Sequence, residues 1–286
     1  MRLATLVAAS MLALPAAHAQ IPSTEIAAPP QTAVPKDAPL NPKLPTLFIV
    51  GDSTARNGAN LGWGDHFAHY FDTTKINIAN RAVAGRSSRT YFNEGRWAAV
   101  VAEMKPGDFV LIQMGHNDGG SGPEAILKDP KARGSIKGLG EETASLPLTK
   151  PYSSGPLAGQ STETIHTFGW YNRKYIADTR ARGATPILLT PTIRNIWKDG
   201  QIERDMGFRD FDFQLGDQQH VAVADMAALE ADYLQNLGPE KTAALFPIDH
   251  THTSAAGAEL NAKWVALALQ KIGSPVAVYL KPIPAS

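Results

Sequence analysis

The chain has 286 residues, with 27 basic and 27 acidic side chains and a formal net charge of zero, so it lacks the basic field that nucleic-acid binding requires. It contains no cysteine, which rules out a disulfide framework, a thiolate zinc site and a cysteine nucleophile. Stability must come from an apolar core instead.

Met1-Arg2-Leu3 is a short basic start, residues 4–16 are apolar, and Ala17-His18-Ala19 is a small-x-small cleavage motif. Residues 1–19 read as a secretory signal peptide cut after Ala19, which predicts a secreted or periplasmic protein. The apolar run is too short to span a bilayer, and no membrane contact is expected of the mature form. Residues 20–45 carry proline at 22, 29, 30, 35, 39, 42 and 45 with no apolar periodicity, and read as an extended or disordered leader. Residues 46–286 are then expected to form one domain.

Leu47-Phe48-Ile49-Val50 predicts a buried strand that stops at Gly51-Asp52-Ser53-Thr54. Trp63, Phe67, Tyr70 and Phe71 recur at helical spacing and predict a helix with an aromatic core face. His66 and His69 on that helix are expected to face solvent or to cap its packing. A strand over 76–79 leads to Arg81-Ala82-Val83-Ala84-Gly85. Trp97, Val100, Val101 and Met104 predict a helix over 94–105, ended by Pro106-Gly107. Residues 108–114 are a second buried strand, ending at Gly115-His116-Asn117-Asp118. The pattern dissolves over 119–162, a loop long enough to be functional or disordered. A helix follows over 163–182 with Ile165, Phe168, Tyr175 and Ile176 inward, then a strand over 186–190 and a loop over 191–207. A strand over 220–224, a helix over 227–237, a loop over 246–252 and a helix over 254–272 complete the order. Residues 275–280 fit either a strand or a short helix.

Strands alternating with helices predict an α/β fold, a parallel sheet covered on both faces. Such sheets bind ligands at the carboxyl ends of their strands. Ser53, Gly85 and Asn117 each follow a strand end, and Thr190 lies on the same rim.

A serine needs a base to take its proton, and the base needs an acid to orient it. Asp249-His250-Thr251-His252 offers both, with Asp249 and His252 three apart. Ester hydrolysis also needs donors aimed at the oxyanion. The N–H groups of Ser53 and Gly85 and the Asn117 amide are candidates. Each motif taken singly is also an ordinary turn or helix cap.

Taken together and in order, Gly51-Asp52-Ser53, Gly85, Gly115-His116-Asn117-Asp118 and Asp249-x-x-His252 resemble the four blocks of the SGNH (GDSL) hydrolase superfamily. Gly115-His116-Asn117-Asp118-Gly119-Gly120 and the run from Phe246 to Ser254 are similar to rhamnogalacturonan acetylesterases, carbohydrate esterase family 12. The resemblance implies a three-layer αβα sandwich with a five-stranded parallel sheet, a flavodoxin-like SGNH fold. It implies Ser53 as nucleophile, His252 as base and Asp249 as its orienting acid. Ser53 N–H, Gly85 N–H and Asn117 would form the oxyanion hole. No metal and no organic cofactor is implied, and the partner is an acetylated polysaccharide or oligosaccharide.

Arg86, Arg89, Arg194 and His250 are the candidate substrate contacts, the arginines as partners for galacturonate carboxylates. Trp197 could stack a sugar. His116, His250, His252, Asp118 and Asp249 also contain metal-ligand types, but the serine and amide scaffold accounts for them better. The absence of cysteine separates the chain from fungal members, and the long 119–162 segment leaves substrate choice open. The alternatives are an acetylxylan esterase, a lipid esterase or thioesterase, and a carbohydrate-binding module without activity. The oligomeric state is left open.

Overall fold

Thr46–Val50 (β1) is buried along its whole length, and its side chains alternate between two cores. Leu47 and Ile49 enter one, Phe48 and Val50 the other. That two-sided burial is why the strand reads as an unbroken apolar run. The computed structural model describes residues 39–58, 60–119, 124, 126, 133–148 and 151–283. The expected signal peptide, and the leader up to residue 38, lie outside the described residues.

Asn77–Asn80 (β2), Phe109–Ile112 (β3), Thr185–Leu189 (β6) and Val223–Ala224 (β9) join β1 in a five-stranded sheet of order β2-β1-β3-β6-β9. Every pairing in it is parallel, with Phe48 opposite Ala79 and Val110, and Ile112 opposite Leu188. One face packs against Trp63–His66 (α1), the 3-10 turn Phe67–Tyr70 and the last helix Ala255–Lys271 (α8). The other packs against Ser88–Asn93 (α2), Arg96–Glu103 (α3), Phe168–Ala181 (α4) and Arg209–Gln219 (α5). The expected α/β sandwich with a five-stranded parallel sheet is what the chain forms.

Several local expectations need correction. The helix predicted over 94–105 is α3 alone, and the left-handed Gly95 (φ 76°) separates it from α2, which was not expected. A Cβ there would sit 2.8 Å from the Gly155 backbone, so the break is built for close approach. The helix predicted from residue 163 begins only at Phe168, capped by the Thr167 hydroxyl. Thr162–Ile165 (β5) instead pairs antiparallel with Ala144–Pro147 (β4), and its residues alternate exposed and buried. The aromatic helix is one α-turn and one 3-10 turn, with Trp63, Phe67 and Phe71 stacked edge-on at 5.3 and 5.0 Å. Nor does His66 face solvent: it is buried against Glu259.

Helix α5 was not foreseen, because it is rich in charge and buries only Asp212, Leu215 and Gly216. Its end at left-handed His220 (φ 51°) shortens the strand predicted over 220–224 to two residues. The 191–207 loop holds a small hairpin, Trp197–Lys198 (β7) with Gln201–Ile202 (β8). Asp199 and Gly200 both take positive φ at its turn. Residues 275–279 form a 3-10 turn.

Met226–Leu237 (α6), which precedes the short Pro239–Ala243 (α7), carries a buried acid, Glu230. Burial pushes its pKa up to about 8, although the Ile193 N–H (2.7 Å) and the Asn261 side chain bond to it. The folded state therefore keeps a proton that the unfolded chain releases above its ordinary value of 4.5. This contribution to stability is whole below that value and is lost as pH rises toward 8, at about 1.4 kcal/mol for each pH unit. Glu230→Gln does not titrate. Its melting temperature relative to wild type is expected to rise between pH 5 and pH 8, and thermal denaturation at the two pH values checks this.

Candidate active site

The site lies on the carboxyl rim of the sheet. Gly51 follows β1, and a Cβ there would press on the Gln113 carbonyl at 3.1 Å and on Ala55 at 3.3 Å. The chain then turns, with the Asp52 carbonyl accepting from the Ala55 and Arg56 N–H groups (3.2 and 3.0 Å). The buried Asp52 carboxylate accepts from the Thr54 N–H and hydroxyl, both at 2.9 Å. Gln113, just past β3, fastens the turn to its neighbours. Its Oε1 accepts from the Trp63 indole (2.8 Å) and shares the Thr54 hydroxyl hydrogen with Asp52 at a longer 3.1 Å, while its Nε2 donates to the Thr190 carbonyl (2.9 Å). Ser53 is thus held by contacts from β3, α1 and the end of β6.

Asp249 and His252 come from the loop before α8, whose first turn Ser254 caps by accepting from the Gly257 N–H. Asp249 Oδ1 accepts from the backbone N–H of Thr251 (2.7 Å) and of His252 (2.8 Å). Its Oδ2 lies 2.7 Å from His252 Nδ1, and His252 Nε2 lies 2.9 Å from Ser53 Oγ. Partial desolvation opposes ionisation of Asp249, but the His252 ring and the two N–H groups outweigh it and hold the carboxyl at about 2. A hydroxyl bonded to an imidazole whose far nitrogen faces a carboxylate can lose its proton as it attacks a carbonyl.

Gly85 lies in a left-handed turn (φ 75°) tied to the serine loop by Val83 N–H to Gly51 O at 3.0 Å. Among the described residues, the N–H groups of Ser53 and Gly85 donate to no protein acceptor. The Asn117 amide donates one N–H to the Arg86 carbonyl (3.2 Å) and has a second to offer. Asp118 anchors this loop from below, accepting from Ser88 N–H and from the Ser135 hydroxyl (2.7 Å). Burial raises its pKa. His116 Nε2 meets the Thr192 hydroxyl at 2.9 Å, and burial lowers its pKa, which favours the neutral ring.

The three arginines expected as substrate contacts are each paired with a carboxylate. Arg89 is 3% exposed and forks onto the buried Glu163 at 2.5 and 2.9 Å, so it is a structural ion pair and not a sugar ligand. Arg86 is bonded to Glu94 (3.0 Å) and Arg194 to Glu203 (2.6 Å). His250 is exposed, and its carbonyl accepts from Asn195 N–H at 2.7 Å. Trp197 is half-buried and donates to Asn195 Oδ1 (2.8 Å). Sequence reasoning passed over Gln113 and Thr192. A polar residue inside an apolar strand run was the signal for the first; nothing marked the second. Arg133 is an exposed cation at the rim, its guanidinium 3.2 Å from the Gly85 carbonyl.

Residues 47–265 match the GDSL-like lipase/acylhydrolase family, and the chain belongs to it. It is an SGNH-type carboxylic ester hydrolase. A rhamnogalacturonan acetylesterase of Emericella nidulans is 31% identical over 219 residues, 75% of this chain and 80% of that protein. A probable rhamnogalacturonan acetylesterase of Bacillus subtilis, YesY, is 28% identical over 242 residues, 80% of this chain and 94% of that protein. In fold, the crystal structure of Bacillus subtilis YxiM matches with a TM-score of 0.62 at 24% identity, covering 81% of this chain. This chain spans 58% of that structure. No helix among the described residues is long and apolar enough to cross a membrane.

Proposed function

We propose that the protein is a serine esterase that removes acetyl groups from plant cell-wall polysaccharide, rhamnogalacturonan before other acetylated glycans. The observation that carries the chemistry is the continuous series Ser53 Oγ, His252 and Asp249, with bonds of 2.9 and 2.7 Å. The two rhamnogalacturonan acetylesterase relatives support the substrate. Arg133 at the mouth suits an acidic backbone, in the role expected from the sequence for Arg89.

Ser53 Oγ attacks the acetyl carbonyl as His252 Nε2 takes its proton. The oxyanion is held by Ser53 N–H, Gly85 N–H and Asn117 Nδ2. His252 returns the proton to the sugar oxygen as the ester bond breaks, leaving an acetyl-serine. A water, deprotonated by His252, then releases acetate and restores Ser53. Asn117→Ala removes one donor to the oxyanion and is expected to lower kcat about 10²–10³-fold with KM little changed. Steady-state kinetics on an aryl acetate reads this directly. A loss below tenfold removes Asn117 from the hole.

The same reading takes residues 1–19 as an export signal, 20–45 as a leader and 46–286 as the hydrolase domain, in a secreted or periplasmic protein. The deciding experiment is acetate release from acetylated rhamnogalacturonan, acetylated xylan and a short aryl acetate. Fastest release from the first supports the pectic assignment. Preference for xylan moves the enzyme to the acetylxylan esterases, and cleavage of the aryl acetate alone leaves an esterase without that substrate.

A further inference from the structure

On the face of the sheet covered by α8, two histidines converge on one carboxylate oxygen. His66 ends α1, His69 lies in the 3-10 turn that follows, and Glu259 is in the first turns of α8. His66 Nδ1 is 2.8 Å from Glu259 Oε2, and His69 Nδ1 is 3.5 Å from the same oxygen. One ligating atom from each of the three residues lies within 4.8 Å of the other two.

The protons around His66 are informative. Its Nε2 lies 2.8 Å from the Asn60 carbonyl oxygen. A carbonyl can only accept, so Nε2 carries the hydrogen. In a neutral ring Nδ1 then turns its lone pair toward a carboxylate oxygen, acceptor against acceptor. A positive charge must stand between them, either a second proton or a metal ion. A histidine fixed through its far nitrogen by a backbone carbonyl is also how metal-ligating imidazoles are oriented. The Tyr70 hydroxyl donates to Glu259 Oε1 (2.7 Å), which leaves Oε2 for the ion. The His69 side chain is 36% exposed, so a fourth position opens to water.

We propose that His66 Nδ1, His69 Nδ1 and Glu259 Oε2 bind a divalent transition-metal ion, with zinc the best match to two imidazoles, one carboxylate and an open fourth position. This departs from the expectation drawn from the sequence, which implied no metal. The ion would clamp the segment that follows the Ser53 loop to the helix that follows Asp249 and His252, holding the frame of the site without entering the chemistry. Lys281 does not compete for the site, since its Nζ is spent on the His69 carbonyl at 3.2 Å.

The test uses untagged full chain, stripped with a chelator and titrated with Zn²⁺ by calorimetry, alongside elemental analysis and thermal denaturation. Wild type is expected to bind one equivalent and to melt at a higher temperature with zinc than without. His69→Gln changes a partly exposed side chain, and Glu259→Gln is the second variant. Each is expected to weaken binding by at least the roughly 10–100-fold that even an outer-shell partner commands, and to lose the zinc-dependent rise. Circular dichroism confirms that the variants fold. No stoichiometric uptake by wild type overturns the proposal and leaves the cluster an imidazolium–carboxylate pair. Uptake that survives in both variants overturns it too, placing zinc elsewhere, for instance on the His250–His252 loop. Because none of these readouts is esterase activity, the outcome stands apart from that of the proposed function.

Discussion

Ser53→Ala is expected to lower kcat for acetate release by about 10⁴-fold or more, some 5.5 kcal/mol of transition-state stabilisation. The substitution removes one oxygen from a loop whose shape is set by other atoms. Asp52, Thr54 and Gln113 hold the turn through bonds that do not involve the serine hydroxyl. Among the described residues, the one side-chain bond lost is that to His252 at 2.9 Å. A net change in folding stability of about 1 kcal/mol is therefore expected, far too little to explain the loss of rate. Residual turnover should remain above the uncatalysed rate, because the oxyanion donors are untouched. Rate and melting temperature measured on one preparation separate the two effects. A variant within tenfold of wild type would mean that the nucleophile is another group.

Asp249→Asn is expected to cost nearly as much, about 10⁴-fold in kcat with KM little changed. The reason is the direction of a hydrogen bond. Asp249 uses one oxygen for the Thr251 and His252 N–H groups and the other for the His252 ring. In asparagine the single oxygen stays with the two N–H groups, so the NH₂ turns toward Nδ1. That nitrogen must then accept, the ring hydrogen moves to Nε2, and Nε2 can no longer take the serine proton. The charge matters as well. Asp249 is held at about 2, so it stays ionised through any ordinary assay range. A folded pKa below the unfolded value of 3.8 gives stability that is present above that value and lost as pH falls toward 2. The asparagine variant should lack this acid-side loss, which acid denaturation followed by fluorescence would reveal. If Asp249→Asn keeps a tenth of the wild-type rate, the carboxylate has no orienting role.

What the sequence shows and hides follows from the range of the interactions. The central strands were legible because burial on both faces leaves an unbroken apolar run, as in Leu47 to Val50 and Phe109 to Ile112. The blocks around Ser53, Gly85, Asn117 and Asp249 were legible because each combines a polar group with a break in the apolar pattern. Helix α5 was not, because a helix that buries so few of its residues has no apolar stripe to read. The β4–β5 hairpin was missed for a different reason. Thr162–Ile165 makes sense as a strand only against Ala144–Pro147, and Glu163 is buried only because Arg89 meets it from 74 residues away. The expectation for Arg89 fails at that point. Side chains that look like free cations in one dimension are committed to carboxylates in three.

Ser53 and His252 stand 199 positions apart, yet their side chains are joined by one hydrogen bond. Between them in the chain lie the partners of β1, the helices α1 to α7 and the loop that carries Asn117. On the proposed mechanism, a fragment that ends before the last helix holds no supported base against the nucleophile. On that mechanism the serine, which emerges early, is expected to stay inert until the C-terminal segment docks. Ester cleavage would then report complete folding. In refolding, the return of activity should follow the slowest packing step, later than the recovery of helical content.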